Sequence, residues 1–281
     1  MPAYHRPDDL SEACTLLAAG PLSILAGGTD VYAGTTAQQL NRDILDVTGI
    51  AALRGIARDE AGWRIGGAVT WSELIAAGLP PAFDALKRAA REVGSEQIQN
   101  AGTIAGNLCN ASPAADGVPA LMVLDAEVAL ASAAGRRRLP LGAFLTGPRQ
   151  TALAPGELVE AVHVPAASAA GASDFLKLGA RRYLVISIAM VAVRLAVEEG
   201  RVAAAAIAVG ACSPVARRFA ALEAALVGEP ATPALALRVT EAGVAPLLAP
   251  IDDVRGSAAY RAGAAAELIR RALARLTEGA R

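Results

Sequence analysis

The sequence predicts an α+β fold in two parts, and three observations predict it. Between residues 20 and 165, apolar runs of strand length alternate with short amphipathic helical patterns. A small-residue stretch at 166–173 (AASAAGAS) then breaks the pattern and reads as a linker. Beyond it, apolar strand runs precede a helical tail, the order of an antiparallel sheet followed by helices. With 281 residues, the chain exceeds the usual single core. The expected parts are 1–165, in two lobes of about 1–55 and 56–165, and a C-terminal domain at 173–281.

Asp8 or Asp9 caps a first helix running to about Ala19, with Leu10, Ala13, Leu16 and Leu17 on one face. Pro21 ends it and a short strand at 22–25 follows. The segment AGGTD, Ala26 to Asp30, leaves that strand through two glycines, and its Thr-Asp pair opens the next helical stretch. Such a turn exposes N–H groups that suit an anion, although ordinary capping accounts for the same residues. It has neither the GxGxxG of a Rossmann turn nor the GK[ST] of a P-loop. Residues 43–47 read as a buried strand, and 53–56 with 63–68 as a hairpin around 58–62. Thr70 and Glu73 form a capping box for a helix at 71–77. Pro80 and Pro81 start a stronger helix whose stripe, Phe83, Leu86, Ala90 and Val93, ends before Gly94.

Residues 98–116, IQNAGTIAGNLCNASPAAD, read as a polar, glycine-bearing loop. A buried helix at 118–124 follows, which Asp116 either caps or leaves free for a ligand. A hairpin at 127–131 and 136–139 turns across Gly135, with Arg136, Arg137 and Arg138 on a solvated edge. Residues 156–165 alternate as a strand, on which His163 is a plain strand residue. After the linker come strands at 175–178, 186–197 and 202–209, the last two joined by Glu198-Glu199-Gly200. Helices are expected at 214–226, 233–248 and 258–276, with Asp252 and Asp253 as caps before the last.

Composition removes several function classes. The net charge is −1, so no basic field holds a nucleic acid. Two histidines, His5 and His163, argue against a zinc site or a Ser–His triad. Cys14, Cys109 and Cys212 lie too far apart for a cluster motif and suit reduced thiols in a cytoplasmic protein. The longest apolar run, 184–193, is well short of the roughly 20 residues of a membrane span. The opening MPAYHRPDDL has no apolar core, so no secretory signal is expected. No catalytic side chain and no metal ligand set stands out. Polar binding segments without acid–base machinery suit a bound cofactor that supplies the chemistry. The segments 26–30 and 102–107 together suit an extended dinucleotide, with main-chain N–H groups taking its pyrophosphate. Thr29, Thr103 and Asn107 add side-chain hydrogen bonds, and Asp116 accepts from a sugar hydroxyl or orients a donor.

Taken with IGGAVTWSEL at 65–74, DAEV at 125–128, GELV at 156–159 and KLGARR at 177–182, these two segments give the chain a resemblance. It resembles the FAD-binding (medium) subunit of the molybdenum hydroxylases, the family of xanthine dehydrogenase and aerobic carbon monoxide dehydrogenase. The resemblance implies a two-lobed FAD-binding domain of the vanillyl-alcohol-oxidase/PCMH type, then a C-terminal domain of antiparallel sheet plus helices. It implies FAD contacts at Ile24, Leu25, Ala26, Gly27, Gly28, Thr29, Asp30 and Val31, and at Thr103, Ile104, Ala105, Gly106 and Asn107. It adds Asp116, Val159 and Lys177, one of only two lysines in the chain. It implies two partners, a small iron–sulfur subunit with two [2Fe–2S] clusters and a large molybdopterin subunit, assembled as a dimer of heterotrimers. In that scheme this chain passes electrons from the clusters to an external acceptor. A stand-alone FAD-dependent reductase using a pyridine nucleotide, and a non-catalytic assembly subunit, are the alternatives.

Two positions depart from the family pattern. Ala105 replaces the first glycine of TIGGN, which requires a negative φ there. Ser187 stands where the family carries the carboxylate of DIA.

Overall fold

The computed structural model describes residues 2–36 and 40–278. β1 (Tyr4–His5) is followed by α1 (Leu10–Ala19), whose cap Asp9 accepts the N–H groups of Ser11 and Glu12. β2 (Ser23–Leu25) and β3 (Ile44–Asp46) complete a parallel sheet in the order β1-β3-β2. The central β3 is buried at every residue, as a strand covered on both faces must be. Leu10, Ala13, Cys14 and Leu17 of α1 pack with Leu45, Val47, Ile50 and Leu53 to form this lobe's core. After β2, Thr29 and Asp30 do not open a helix. The chain makes isolated turns, with Tyr32 N–H on the Gly28 carbonyl and Gly34 N–H on the Asp30 carbonyl. Gly34 and the β-branched Val31, Thr35 and Thr36 keep these turns from propagating.

A 3-10 turn (Ala51–Leu53) leads into the second lobe, so the expected strand at 53–56 starts only at Ile56. Leu53 is drawn instead into the first core. β4 (Ile56–Asp59) and β5 (Gly62–Gly66) form the hairpin. α2 (Trp71–Ala76) carries both halves of the Thr70–Glu73 capping box. A 3-10 turn (Pro81–Phe83) leads into α3 (Asp84–Glu92), and Gly94 beyond it has φ +58°. The segment 98–116 is not a loop. It is mostly helical: α4 (Glu96–Ala101) and α5 (Ile104–Asn110) meet at Gly102-Thr103, and α6 (Gly117–Met122) follows. Each of these helices has six or seven residues, too short for its periodicity to stand out in sequence.

Next come β6 (Glu127–Ser132), β7 (Gly135–Pro140), α7 (Leu141–Phe144), β8 (Leu145–Gly147), β9 (Gln150–Thr151) and β10 (Leu158–Pro165). The antiparallel sheet runs β4-β5-β10-β6-β7. Its edge strand β7 carries the three arginines, and Arg136 and Arg137 pair with Glu160 and Glu157 at 2.7 and 2.6 Å. His163 lies on β10 opposite Arg64 and Glu127, and burial holds its pKa below the usual histidine value, aided by Arg138 and Arg64.

Residues 166–173 are not a loose linker. A 3-10 turn (Ala166–Ala169) buries Ser168, whose hydroxyl donates to Asp125 at 2.6 Å, and β11 starts at Ala172. The small residues serve close packing: a methyl on Gly171, at φ +83°, would lie 2.1 Å from the Leu195 carbonyl oxygen. β11 (Ala172–Leu178), β12 (Ala189–Glu198), β13 (Arg201–Gly210) and β14 (Arg217–Arg218) form an antiparallel sheet in that order. Positive φ at Glu199 and Gly200 gives the tight β12–β13 turn the twist it needs. α8 (Ala220–Leu226) begins later than Pro214, because Arg217 and Arg218 are recruited to the sheet. The helix expected at 233–248 is broken into 3-10 turns around α9 (Glu241–Val244), where Thr240 caps a new start. α10 (Ala258–Glu278) packs Ala265, Ile269, Ala272 and Leu273 against this sheet.

β12 explains the longest apolar run in the chain. Val191 and Val193 face the C-terminal core, while Met190 and Ala192 face the core of the second lobe. A strand buried on both faces loses the alternation of a half-buried one. The contact between the two parts is also polar. Arg194 Nε donates to the Val123 carbonyl at 2.7 Å, and Arg218 Nη1 donates to the Met122 carbonyl at 2.6 Å and to Asp125 at 2.7 Å. The α+β architecture expected from sequence is thus present, with the C-terminal sheet docked on the lobe it follows.

Candidate functional site

A cleft of about 1080 Å³ runs between the lobes and is bordered at one end by the segments 184–187 and 251–255 and by Arg261 of the C-terminal part. It is large for a small-molecule pocket and of a size for an extended ligand. Both glycine-bearing segments line it, through Ala26, Gly27, Gly28, Thr29, Asp30 and Val31 on one wall and Thr103, Ala105, Gly106 and Asn107 on the other. Ile24, Asp116 and Val159 also line it. Leu25 and Ile104 instead point into the protein, at 6% and 1% exposure, and hold the two segments from behind.

The two walls touch directly. A methyl on Gly27 would lie 1.8 Å from the Ala101 carbonyl oxygen, so only glycine lets residues 26–28 lie on the α4–α5 junction. Below that junction is Trp71, 1% exposed, whose indole fits between Gly102 and Gly117. Methyls at those glycines would approach it to 3.4 and 2.6 Å. The main-chain N–H of Trp71 in turn donates to the Gly102 carbonyl at 3.1 Å.

The main-chain donors are divided unequally between the walls. At the start of α5 the N–H groups are already used: Ile104 on Val69 O, Ala105 on Gly67 O, Gly106 on Thr103 Oγ1 and Asn107 on Thr103 O. The expectation that this segment supplies pyrophosphate donors is therefore corrected for those four residues. Among the described residues, the N–H groups of Gly27, Gly28, Thr29, Asp30 and Val31 donate to nothing. Gly28 lies at φ +70°, and unused N–H groups in such a turn, lining the cleft, suit an anion.

What α5 offers is space and an acceptor. A methyl on Gly106 would meet only Thr103 Oγ1, at 3.0 Å, so its bareness leaves room toward the cleft rather than inside the fold. Asn107 Oδ1 is buried without a hydrogen-bond partner, an acceptor waiting for a donor. Ala105 lies within α5 and is absent from the positive-φ residues, so its methyl is accommodated as required. Free donors on one wall, an unused acceptor on the other and a glycine-lined gap fit a flavin dinucleotide.

Asp116 does not cap α6. It accepts from Lys177 Nζ at 2.7 Å and from Ser187 Oγ at 2.7 Å. Lys177, on the edge strand β11, also reaches the Glu92 carbonyl at 3.4 Å and does not itself line the cleft. Both side chains are more than nine-tenths buried. Burial pushes the Asp116 carboxyl up, against the pull of the Lys177 ammonium and both hydrogen bonds, and leaves it raised. The departure at position 187 thus has a structural meaning: a hydroxyl donates to Asp116 where a carboxylate would repel it.

Sequence reasoning missed several groups. Asn110 Nδ2 donates to Asp30 at 2.7 Å and ties the two walls together. Arg149, in the β8–β9 turn, lines the cleft and donates to Asn110. On the C-terminal side, Arg261 is 2% exposed and shares Asp253 with Arg255. No local motif marks these residues, although an arginine at positive φ is a signal once the backbone is known. Cys109 opens onto the cleft, where the protein packed around it raises its thiol pKa. Among the described residues no His, Cys, Asp and Glu group is arranged to hold a metal ion, and no helix is long and apolar enough to cross a membrane.

The comparisons with known proteins agree with this geometry. Residues 1–167 match the family profile described as the FAD binding domain in molybdopterin dehydrogenase. Residues 174–276 match the CO dehydrogenase flavoprotein C-terminal domain. The chain is 37% identical over 172 residues to a xanthine dehydrogenase FAD-binding subunit of Escherichia coli O157:H7. That match covers 58% of this chain and 57% of the relative, a little over half of each. It is 30% identical over 275 residues to the nicotine 6-hydroxylase medium subunit of Paenarthrobacter nicotinovorans, covering 96% and 95% of the two chains. Among solved structures, a chain of the Hydrogenophaga pseudoflava carbon monoxide dehydrogenase lacking the Mo-pyranopterin moiety superposes with a TM-score of 0.88. Identity there is 29%, with 97% of this chain and 96% of that chain covered. A chain of the reconstituted CO dehydrogenase from Oligotropha carboxidovorans gives 0.90 at 26% identity, covering 99% and 98%. Two adjacent domain matches, near full-length relatives and a glycine-lined cleft lead to one conclusion: the chain belongs to the family of FAD-binding subunits of molybdopterin dehydrogenases.

Proposed function

We propose that this chain carries FAD within a molybdenum hydroxylase complex, accepting electrons from the [2Fe–2S] clusters of a small partner subunit and passing them to an external acceptor. The observation that carries the reading is the contact of Gly27 with Ala101, which makes two distant polar segments into one cleft. FAD supplies the redox chemistry there. The chain binds and orients it. The unused N–H groups of residues 27–31 take the diphosphate, and Asn107 Oδ1 accepts a ligand donor. Thr29, Asp30, Val31, Thr103, Ala105, Gly106, Asp116, Val159, Ile24 and Ala26 line its path. Leu25 and Ile104 act from the core side, and Lys177 acts through Asp116.

The remaining parts of the reading follow the family. A large molybdopterin subunit oxidises substrate, and the three chains assemble as a dimer of heterotrimers. The cytoplasm suits a chain whose three cysteines are unpaired. Residues 1–165 form the FAD-binding domain in two lobes, about 1–55 and 56–165, and 173–281 form the C-terminal domain of the flavoprotein subunit. The support for this division is that three of the four sheets are built before residue 166, and the β11-β12-β13-β14 sheet after it.

The test is purification of the full chain from its host. The expected product is yellow, holds FAD near one per chain, and brings down one iron–sulfur and one molybdopterin subunit. A colourless chain that gains no flavin from added FAD overturns the cofactor assignment. A flavin-bearing chain that never accompanies such subunits overturns the electron-transfer role.

A further inference from the structure

Arg149 is placed unusually for a surface arginine. It sits in the β8–β9 turn at φ +60°, a left-handed conformation that a branched or long side chain enters at a cost. Its N–H is fixed on the Ala111 carbonyl at 2.8 Å. Its guanidinium donates to the Asn110 carbonyl at 3.1 Å and to the Asn110 side-chain oxygen. The other end of that amide donates to Asp30 at 2.7 Å. An acid, an amide and an arginine therefore form one bridge from residues 26–31, across the end of α5, to the β8–β9 turn.

The charge pattern of the cleft singles this arginine out. Arg255 and Arg261 share Asp253, and Lys177, behind the wall, is paired with Asp116. Among the described residues, Arg149 meets no carboxylate directly and Asp30 meets no cation directly. Asn110 stands between them. The guanidinium is thus held one amide away from the segment whose five N–H groups are unused, with donors left over after its bonds to Asn110.

We propose that Arg149 is the cation that carries the negative charge of the dinucleotide's diphosphate, and that the Asp30–Asn110–Arg149 bridge sets it against the free N–H groups of residues 27–31. The inference rests on the reading of the cleft as an FAD site. Guanidinium geometry suits phosphate oxygens, and the amide bridge keeps Asp30 from cancelling the charge outright. It accounts for the strained φ: the turn must bring this side chain back over α5.

Arg149→Asn tests it, because asparagine tolerates φ +60° while losing the charge. Arg149→Gly meets the same backbone if the asparagine variant folds poorly. Arg149→Lys keeps the charge. The measurement is FAD dissociation from the full chain, in the assembly in which it is isolated, followed by flavin fluorescence across salt. The expected result is a loss of affinity on the order of tenfold for Arg149→Asn at low salt, an unchanged melting temperature, a gap that closes as salt screens the site, and recovery in Arg149→Lys. A wild-type chain that binds no FAD overturns both this inference and the functional reading. Wild-type binding with an unchanged Arg149→Asn, or with a gap indifferent to salt, overturns this inference alone.

Discussion

Gly27 lies so close to the carbonyl oxygen of Ala101 that one added methyl would come within 1.8 Å of it. The blocking atom is backbone, so the clash cannot be relieved by a side-chain rotation. Residues 26–28 and the α4–α5 junction are 74 positions apart at this contact, 101 minus 27, and nothing local in either segment predicts the meeting.

Gly27→Ala is expected to push these walls apart. Overpacking of this kind costs about 1–3 kcal/mol, while the cores of the second lobe and the C-terminal sheet stay intact. The outcome is a folded chain with a lowered melting temperature that retains little FAD, read by calorimetry and by flavin absorbance per chain. Full flavin content in this variant would show that the contact does not shape the site.

Gly106→Ala separates binding from folding in the opposite way. Inside the chain its methyl meets only Thr103 Oγ1, and alanine is the better helix residue by about 1 kcal/mol. Stability is expected to hold or rise while FAD affinity falls. Equal affinity in the variant and the wild type would mean that the gap at Gly106 is not filled by ligand.

Lys177→Met leaves Asp116 buried without its cation. Breaking one side of a buried pair costs about 3–5 kcal/mol, measured by urea unfolding. Asp116 already has a raised pKa through burial, so the folded chain holds its proton more readily than the unfolded chain does. In Lys177→Met that preference grows, and stability is expected to fall as pH rises above the usual carboxyl value of 3.8. Adding Asp116→Asn should recover part of the loss and remove this pH dependence. A flat pH profile in Lys177→Met would count against the pairing.

Asp125 runs the other way. Burial alone would raise its pKa, but the Ser168 hydroxyl, Arg218 and Arg194 together hold it below 3.8. Its contribution to docking the C-terminal sheet is complete above pH 3.8 and is lost as pH falls through the lower folded value. The melting temperatures of wild type and Asp125→Asn should therefore differ at neutral pH and converge in acid. A gap that is constant down to the acid limit would place the wild-type advantage elsewhere.

The local chemistry of this chain was legible in its residues. Asp9 and the Thr70–Glu73 box capped the helices they were expected to cap, and the turn at Glu199-Gly200 formed as read. Those features depend on neighbours a few positions apart, which sequence displays. Length and context defeated other readings. α4 and α5 are too short to reveal a period, and the small residues at 166–173 were packing against β12 rather than forming a free linker.

By itself the sequence determined the α+β class, the glycine positions and, through the order of its motifs, the family. Tertiary structure decided which donors remain free at the start of α5, because the N–H groups of Ile104 and Ala105 are consumed by Val69 and Gly67, which follow β5 and lie far from α5 in the chain. It also decided that Lys177 faces Asp116 and that Arg149 reaches Asn110. Hydrogen-bond satisfaction and ion pairing depend on distance in space, and a chain records those distances only after it has folded.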